Sequence, residues 1–180
     1  MTTAALPRVA PETVVANEIM AAYKPLGVAT VLGQRTGVID PKITEVTRLR
    51  VARYHDCQIC GSVRVLEAEL DESLATKIDR FESSDLPEKW KVALRLTDAM
   101  ITTPGQMTLE LRDDIRHHFS DEQVSQMIYD ILKWSCNKAL VSMRVDTPPG
   151  VAEAGYDDDG NQLFGVEAKV QWDSMQAARH

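Results

Sequence analysis

Cys57-Gln58-Ile59-Cys60 sits between an apolar-faced segment ending near His55 and the run Gly61-Ser62-Val63-Arg64. Two thiols at that spacing can close a small disulfide loop, supply half of a metal site, or fill a core as small hydrophobes. The segment before the pair reads as a helix. Asp40 stands before Pro41, an N-cap followed by proline at the first helical position. Ile43, Val46, Leu49 and Ala52 then recur at helical spacing to about His55. A shorter helix is expected to begin at the cysteine pair and to end near Leu70. On it Cys57, Cys60 and Arg64 share one face, and the two α-carbons lie roughly 5 Å apart, within disulfide reach. A helix N-terminus and a nearby cation both favour a thiolate.

The chain of 180 residues is long enough for one domain with a substantial core. That domain is read as residues 1–146, followed by an extended, irregular tail at 147–180. The formal net charge of −7 disfavours nucleic acid and anionic membrane as main partners. A local basic patch around Arg48, Arg50, Arg53 and Arg64 is compatible with it. No apolar run approaches the length of a membrane span. The stretch Met1-Thr2-Thr3-Ala4-Ala5-Leu6-Pro7 lacks the basic region and long apolar run of a signal peptide. Three cysteines do not make a disulfide scaffold in a chain of this size. A reducing cytoplasm is the expected setting, where a close pair is redox-active or metal-binding rather than a structural staple.

Other helices are read from about Pro11 to Tyr23, stopped by Lys24-Pro25-Leu26-Gly27; from Asp71, which caps Leu74, Ile78 and Phe81; and from Leu86-Pro87-Glu88 through Trp90 and Leu96 to Thr102. Pro104-Gly105 breaks the last of these. A further helix covers about Leu109 to Phe119. Ser120 and Gln123 have capping-box spacing ahead of a long helix to about Met143. Beyond Asp146, Pro148-Pro149-Gly150 and Asp157-Asp158-Asp159-Gly160 read as irregular chain, with no convincing strand pair. Leu163, Phe164, Val166, Val170 and Trp172 are apolar enough to lie across the domain or a neighbouring subunit.

Glu45, followed after eleven residues by Cys57-x-x-Cys60, lies in Thr44-Glu45-Val46-Thr47-Arg48-Leu49-Arg50-Val51-Ala52. This combination resembles the AhpD-like, or carboxymuconolactone decarboxylase, superfamily, as does the later stretch Tyr129-Asp130-Ile131-Leu132-Lys133-Trp134-Ser135-Cys136-Asn137-Lys138. The resemblance covers roughly residues 40 to 147. It implies an all-α domain that assembles into symmetric homo-oligomers. For members with the cysteine pair it implies thiol-dependent peroxidase or disulfide-reductase activity, an antioxidant role. No cofactor is then needed beyond the Cys57–Cys60 disulfide and an external thiol reductant. In that picture Cys60 attacks a small-molecule peroxide, Cys57 resolves the sulfenic acid, and Glu45 takes part in a proton relay. This chain departs from the pattern at Arg64, where the family relay has a histidine, and at Ile59, where it has a second one. Arginine stays protonated and is no general base at neutral pH, but it can favour the Cys60 thiolate and pair with Glu45.

Bland readings stand beside these. Glu45 can be the structural partner of Arg48 or Arg64. His55 can replace the missing base, or simply be a helix-end histidine stabilised by the dipole. His117 and His118 read as exposed, Cys136 as packed, and Trp90 and Trp134 as core or subunit-contact residues. Zinc needs about four ligands, and Cys136, His117 and His118 could complete such a site only if the fold gathered them. The alternative functions are a decarboxylase acting on a lactone acid from aromatic catabolism, and a non-catalytic redox-sensing oligomer.

Overall fold

The computed structural model describes residues 18–57, 60–61, 63–142, 153–159 and 162–164, and single positions at 167, 170, 171, 173, 174 and 177. Among them, α1 spans Glu18–Gln34, α2 Pro41–Tyr54, β1 Arg64–Val65, α3 Glu72–Ala75, α4 Glu88–Thr102, α5 Leu109–His118, α6 Asp121–Ser142, β2 Glu153–Tyr156 and β3 Gln162–Phe164. Short 3-10 turns cover Leu66–Ala68, Thr76–Ser83 and Pro104–Gln106. The class is all-α, as expected, and no described helix is long and apolar enough to cross a membrane.

Local sequence explains most helix starts. The Asp40 carboxylate accepts from the Lys42 N–H at 2.8 Å, with Pro41 at the first helical position of α2. Asp71 accepts from the Ser73 N–H at 2.7 Å to open α3. Ser120 and Gln123 close a reciprocal box before α6, at 3.3 and 3.1 Å.

Helix α2 is the centre of the molecule, packed against both α4 and α6. One of its faces puts Ile43 and Val51 with Val92, Leu96, Ile115, Met127, Ile131 and Trp134. Another puts Val46 and Leu49 with Ala75, Ile78, Phe81, Leu86 and Leu94. Burying each of these larger aliphatic side chains stabilises the fold by roughly 1.5–3 kcal/mol. What remains of α2 carries Glu45, Arg48 and Ala52, all buried, toward the cysteine loop.

Three expectations are corrected. Pro25 lies inside α1 and does not end it; the expected start at Pro11 lies outside the described residues. Proline removes one backbone donor and crowds the preceding turn, but the helix beyond it is held against α6. Val31 is buried, and Gly33 lies so close to Gln126 that an added Cβ would fall 2.7 Å from Gln126 Oε1. Second, the helix expected from Cys57 to Leu70 is cut short: Cys60 and Gly61 are helical, but Val63 leaves the helical path and Arg64–Val65 are extended. Third, the tail is not irregular throughout, since β2 and β3 form an antiparallel hairpin and β2 pairs in parallel with β1. The Arg35 guanidinium, just past α1, donates to the Asp157 carbonyl at 2.6 Å and so holds the hairpin turn, where the acidic run lies.

Candidate functional site

Helix α2 ends at His55, and Asp56 adopts a left-handed conformation with φ 51°. The Cys57 N–H reaches back to the Ala52 carbonyl at 2.9 Å, and the Asp56 N–H to the Arg53 carbonyl at 3.2 Å. This is the Schellman arrangement, which commonly carries an apolar contact between the residue two beyond the cap and the last helical turn. Here that contact joins Cys57 to Ala52, with Cys60 packed against both. The Cys57 backbone is thereby fixed to α2. Its side chain is 5% exposed, whereas Cys60 is half-buried. The Gly61 N–H donates to the Cys57 carbonyl at 2.9 Å, which closes one turn over the pair. Ile59, between the cysteines, lies outside the described residues.

Glu45 is 1% exposed and Arg48, one turn further along α2, 7%. Arg48 grips the carboxylate bidentately, Nε to Oε2 at 2.6 Å and Nη2 to Oε1 at 2.7 Å. Glu45 Oε1 also accepts from the Val65 N–H at 3.2 Å. The remaining donors of Arg48 cross to the cysteine loop, Nη1 to the Cys60 carbonyl and Nη2 to the Val63 carbonyl, each at 2.8 Å. These contacts explain why the helix at the cysteine pair ends before Val63. In a continuing helix the Cys60 carbonyl would accept from the Arg64 N–H and the Gly61 carbonyl from the Val65 N–H. Instead Arg48 takes the first carbonyl, Glu45 takes the Val65 N–H, and the Arg64 side chain takes the Gly61 carbonyl at 2.8 Å.

Arg64 consequently does not sit on one helical face with the cysteines, nor does it pair with Glu45. Its Nε and Nη2 hold the exposed Glu72 carboxylate at 2.9 and 2.8 Å, and its Nη1 caps the loop carbonyls. The Arg64 hydrogen bonds hold the Glu72 carboxyl below the usual carboxylate range. The expected basic patch is neutralised as well. Arg50 pairs with Asp98 at 2.7 Å, Arg53 with Asp79 at 3.2 Å, Arg48 with Glu45 and Arg64 with Glu72. His55 caps α2 and stacks edge-on with Tyr54, ring centroids 5.5 Å apart. Cys136 is exposed on α6 rather than packed, and His117 and His118 meet edge-on at the end of α5. Among the described residues no group of three or more His, Cys, Asp or Glu is placed to hold a metal ion.

The structure thus brings Glu45 to the cysteine loop but routes it through Arg48, which sequence reasoning had named only as a possible partner or part of a basic patch. The signal was present. An acid and a base three residues apart on an otherwise apolar helix face must pair if that face is buried.

No protein-family model matches the chain. Two uncharacterized proteins of Mycobacterium tuberculosis are each 35% identical to it over 138 residues: MT2376 of strain CDC 1551 / Oshkosh and Rv2313c of strain H37Rv. The match covers 73% of this chain and 49% of theirs, so the chain spans about half the length of the curated relatives it matches. A crystal structure from Agrobacterium tumefaciens, of the protein ATU0492, is similar with a TM-score of 0.67 at 17% identity, covering 81% of this chain and 99% of that one. That protein is described as one of unknown function and a candidate antioxidant defence protein AhpD. With the helical order, this likeness shows that the chain shares the all-helical fold of that protein.

Proposed function

We propose that the chain is a thiol-dependent oxidoreductase of the AhpD-like type, reducing hydroperoxides through a dithiol–disulfide cycle of Cys57 and Cys60. The observation that carries this reading is the half-buried Cys60 packed on the buried Cys57 within one backbone turn. The accessible sulfur is the one suited to meet a substrate, and the covered one to resolve it.

The Cys60 thiolate attacks the distal oxygen of the hydroperoxide. The O–O bond breaks, an S–O bond forms, and the alkoxide leaves as an alcohol after taking a proton from water. The Cys57 thiolate then attacks the Cys60 sulfur, forming the S–S bond and expelling hydroxide, which leaves as water. An external dithiol returns the pair to thiols by exchange and is itself oxidised. Glu45 serves as the anchor of Arg48, because its oxygens are already engaged by that guanidinium and the Val65 N–H.

Addition of a hydroperoxide to the reduced chain is expected to consume two thiols per chain, with peroxide turnover once a dithiol is supplied. A Cys60→Ser variant that removes peroxide as fast as the parent overturns the reading. The engagement of Glu45 favours a second reading, a redox sensor that oxidises once and turns over slowly. Stoichiometric disulfide formation without sustained turnover in excess dithiol selects it. The decarboxylase alternative draws less support, since the arginines near the loop already face carboxylates of the chain itself.

A further inference from the structure

Both cysteines are anchored to the same helix by independent means. Cys57 is tied to α2 through the backbone, its N–H on the Ala52 carbonyl at 2.9 Å. Cys60 is tied to α2 through a side chain, its carbonyl on Arg48 Nη1 at 2.8 Å. Arg48 in turn cannot swing away, because Glu45 holds its Nε and Nη2 in a buried fork. It also holds the Val63 carbonyl at 2.8 Å, so that Cys60 and Val63 are both tied to it.

We infer that Arg48 is the positioning residue of the dithiol: by holding the Cys60 backbone against α2 it keeps the two sulfurs within ring-closing reach. The inference rests on the oxidoreductase reading above. Ring closure is an intramolecular attack, and its advantage over attack by an outside thiol is the effective concentration that the fixed backbone supplies. Only a guanidinium can engage a carboxylate bidentately and still reach two carbonyls; an ammonium is a single point on a flexible stem. Arg48→Lys therefore keeps the charge and loses the clamp.

The test equilibrates the reduced full chain and its Arg48→Lys variant with mixtures of reduced and oxidised glutathione, alkylates the remaining thiols, and reads the disulfide fraction by mass spectrometry. The variant is expected to show a ring-closure equilibrium constant at least tenfold lower, equivalent to about 30 mV for this two-electron couple. Its mixed disulfide with glutathione is expected to resolve correspondingly slowly. A purely structural role would lower the melting temperature and leave the ring-closure constant of the folded chain unchanged, and that result overturns the inference. The neutral pair Glu45→Gln with Arg48→Gln, which leaves no buried charge, is read in the same way if the lysine variant does not fold. A parent chain that forms the disulfide beside an unaltered variant overturns the inference alone. A parent that forms no disulfide overturns the oxidoreductase reading and the inference together.

Discussion

Arg48 holds both oxygens of Glu45, at 2.6 and 2.7 Å, from one turn further along the same buried helix face. Taking two charges out of water is costly, and such a pair persists only where the remaining hydrogen-bonding groups are satisfied. Here they are, by the carbonyls of Cys60 and Val63 and the N–H of Val65. The pair is therefore the joint between the central helix and the cysteine loop.

Breaking that joint on one side leaves a buried charge. Glu45→Ala is expected to destabilise the fold by about 3–5 kcal/mol, read from urea unfolding. The double variant Glu45→Leu with Arg48→Met should recover most of the loss. A single variant within about 1 kcal/mol of the parent would show the pair to be solvated, in the range typical of surface ion pairs.

Arg64 and Glu72 should behave differently, since Glu72 lies exposed. Glu72→Gln is expected to cost less than about 1 kcal/mol. Because Arg64 lowers the Glu72 carboxyl, the pair's contribution is present above the ordinary value of 4.5 and fades as the pH falls below it. Disulfide formation by Cys57 and Cys60 should be unaffected, and a slowed reaction in Glu72→Gln would contradict the separation of Arg64 from the reactive pair.

Asp130 on α6 carries the opposite sign. It is 2% exposed, accepts from Gln126 Nε2 at 3.1 Å and bonds Gln34 of α1. Lys133 is the charged group that acts on it. Burial outweighs these partners and pushes its carboxyl up from 3.8 to about 6. A raised carboxyl stabilises the fold below 3.8, and that stability is lost as the pH rises through about 6. The shift corresponds to about 3 kcal/mol. Asp130→Asn should flatten the fall in stability between those values and leave the variant more stable than the parent at pH 8. A pH profile of unfolding unchanged by the substitution would contradict the assignment.

How much of this was legible in the sequence follows from how local each signal is. Asp40-Pro41, Asp71 and the Ser120–Gln123 box act within one turn, and the helices they open are found where they point. The cysteine pair and Glu45 were found by spacing. The end of the helical path after Cys60 was not, because it depends on Arg48 reaching across from another element to take the acceptor that helix extension needs. Pro25 misled because tertiary packing on α6 outweighs one lost hydrogen bond. The hairpin was missed because β1 is two residues long and its partner arrives only after α6, with no local pattern to announce the pairing.

The most direct test of the central claim uses Cys57→Ala, a substitution that keeps a small apolar group against Ala52, in the presence of a hydroperoxide and the sulfenic-acid trap dimedone. The account predicts a single dimedone adduct on Cys60 in this variant, and in the parent an intramolecular disulfide lighter by two hydrogens with little adduct. An adduct forming on Cys57 in a Cys60→Ser chain as fast as on Cys60 in the Cys57→Ala chain would contradict it, as would a parent whose thiols survive the peroxide.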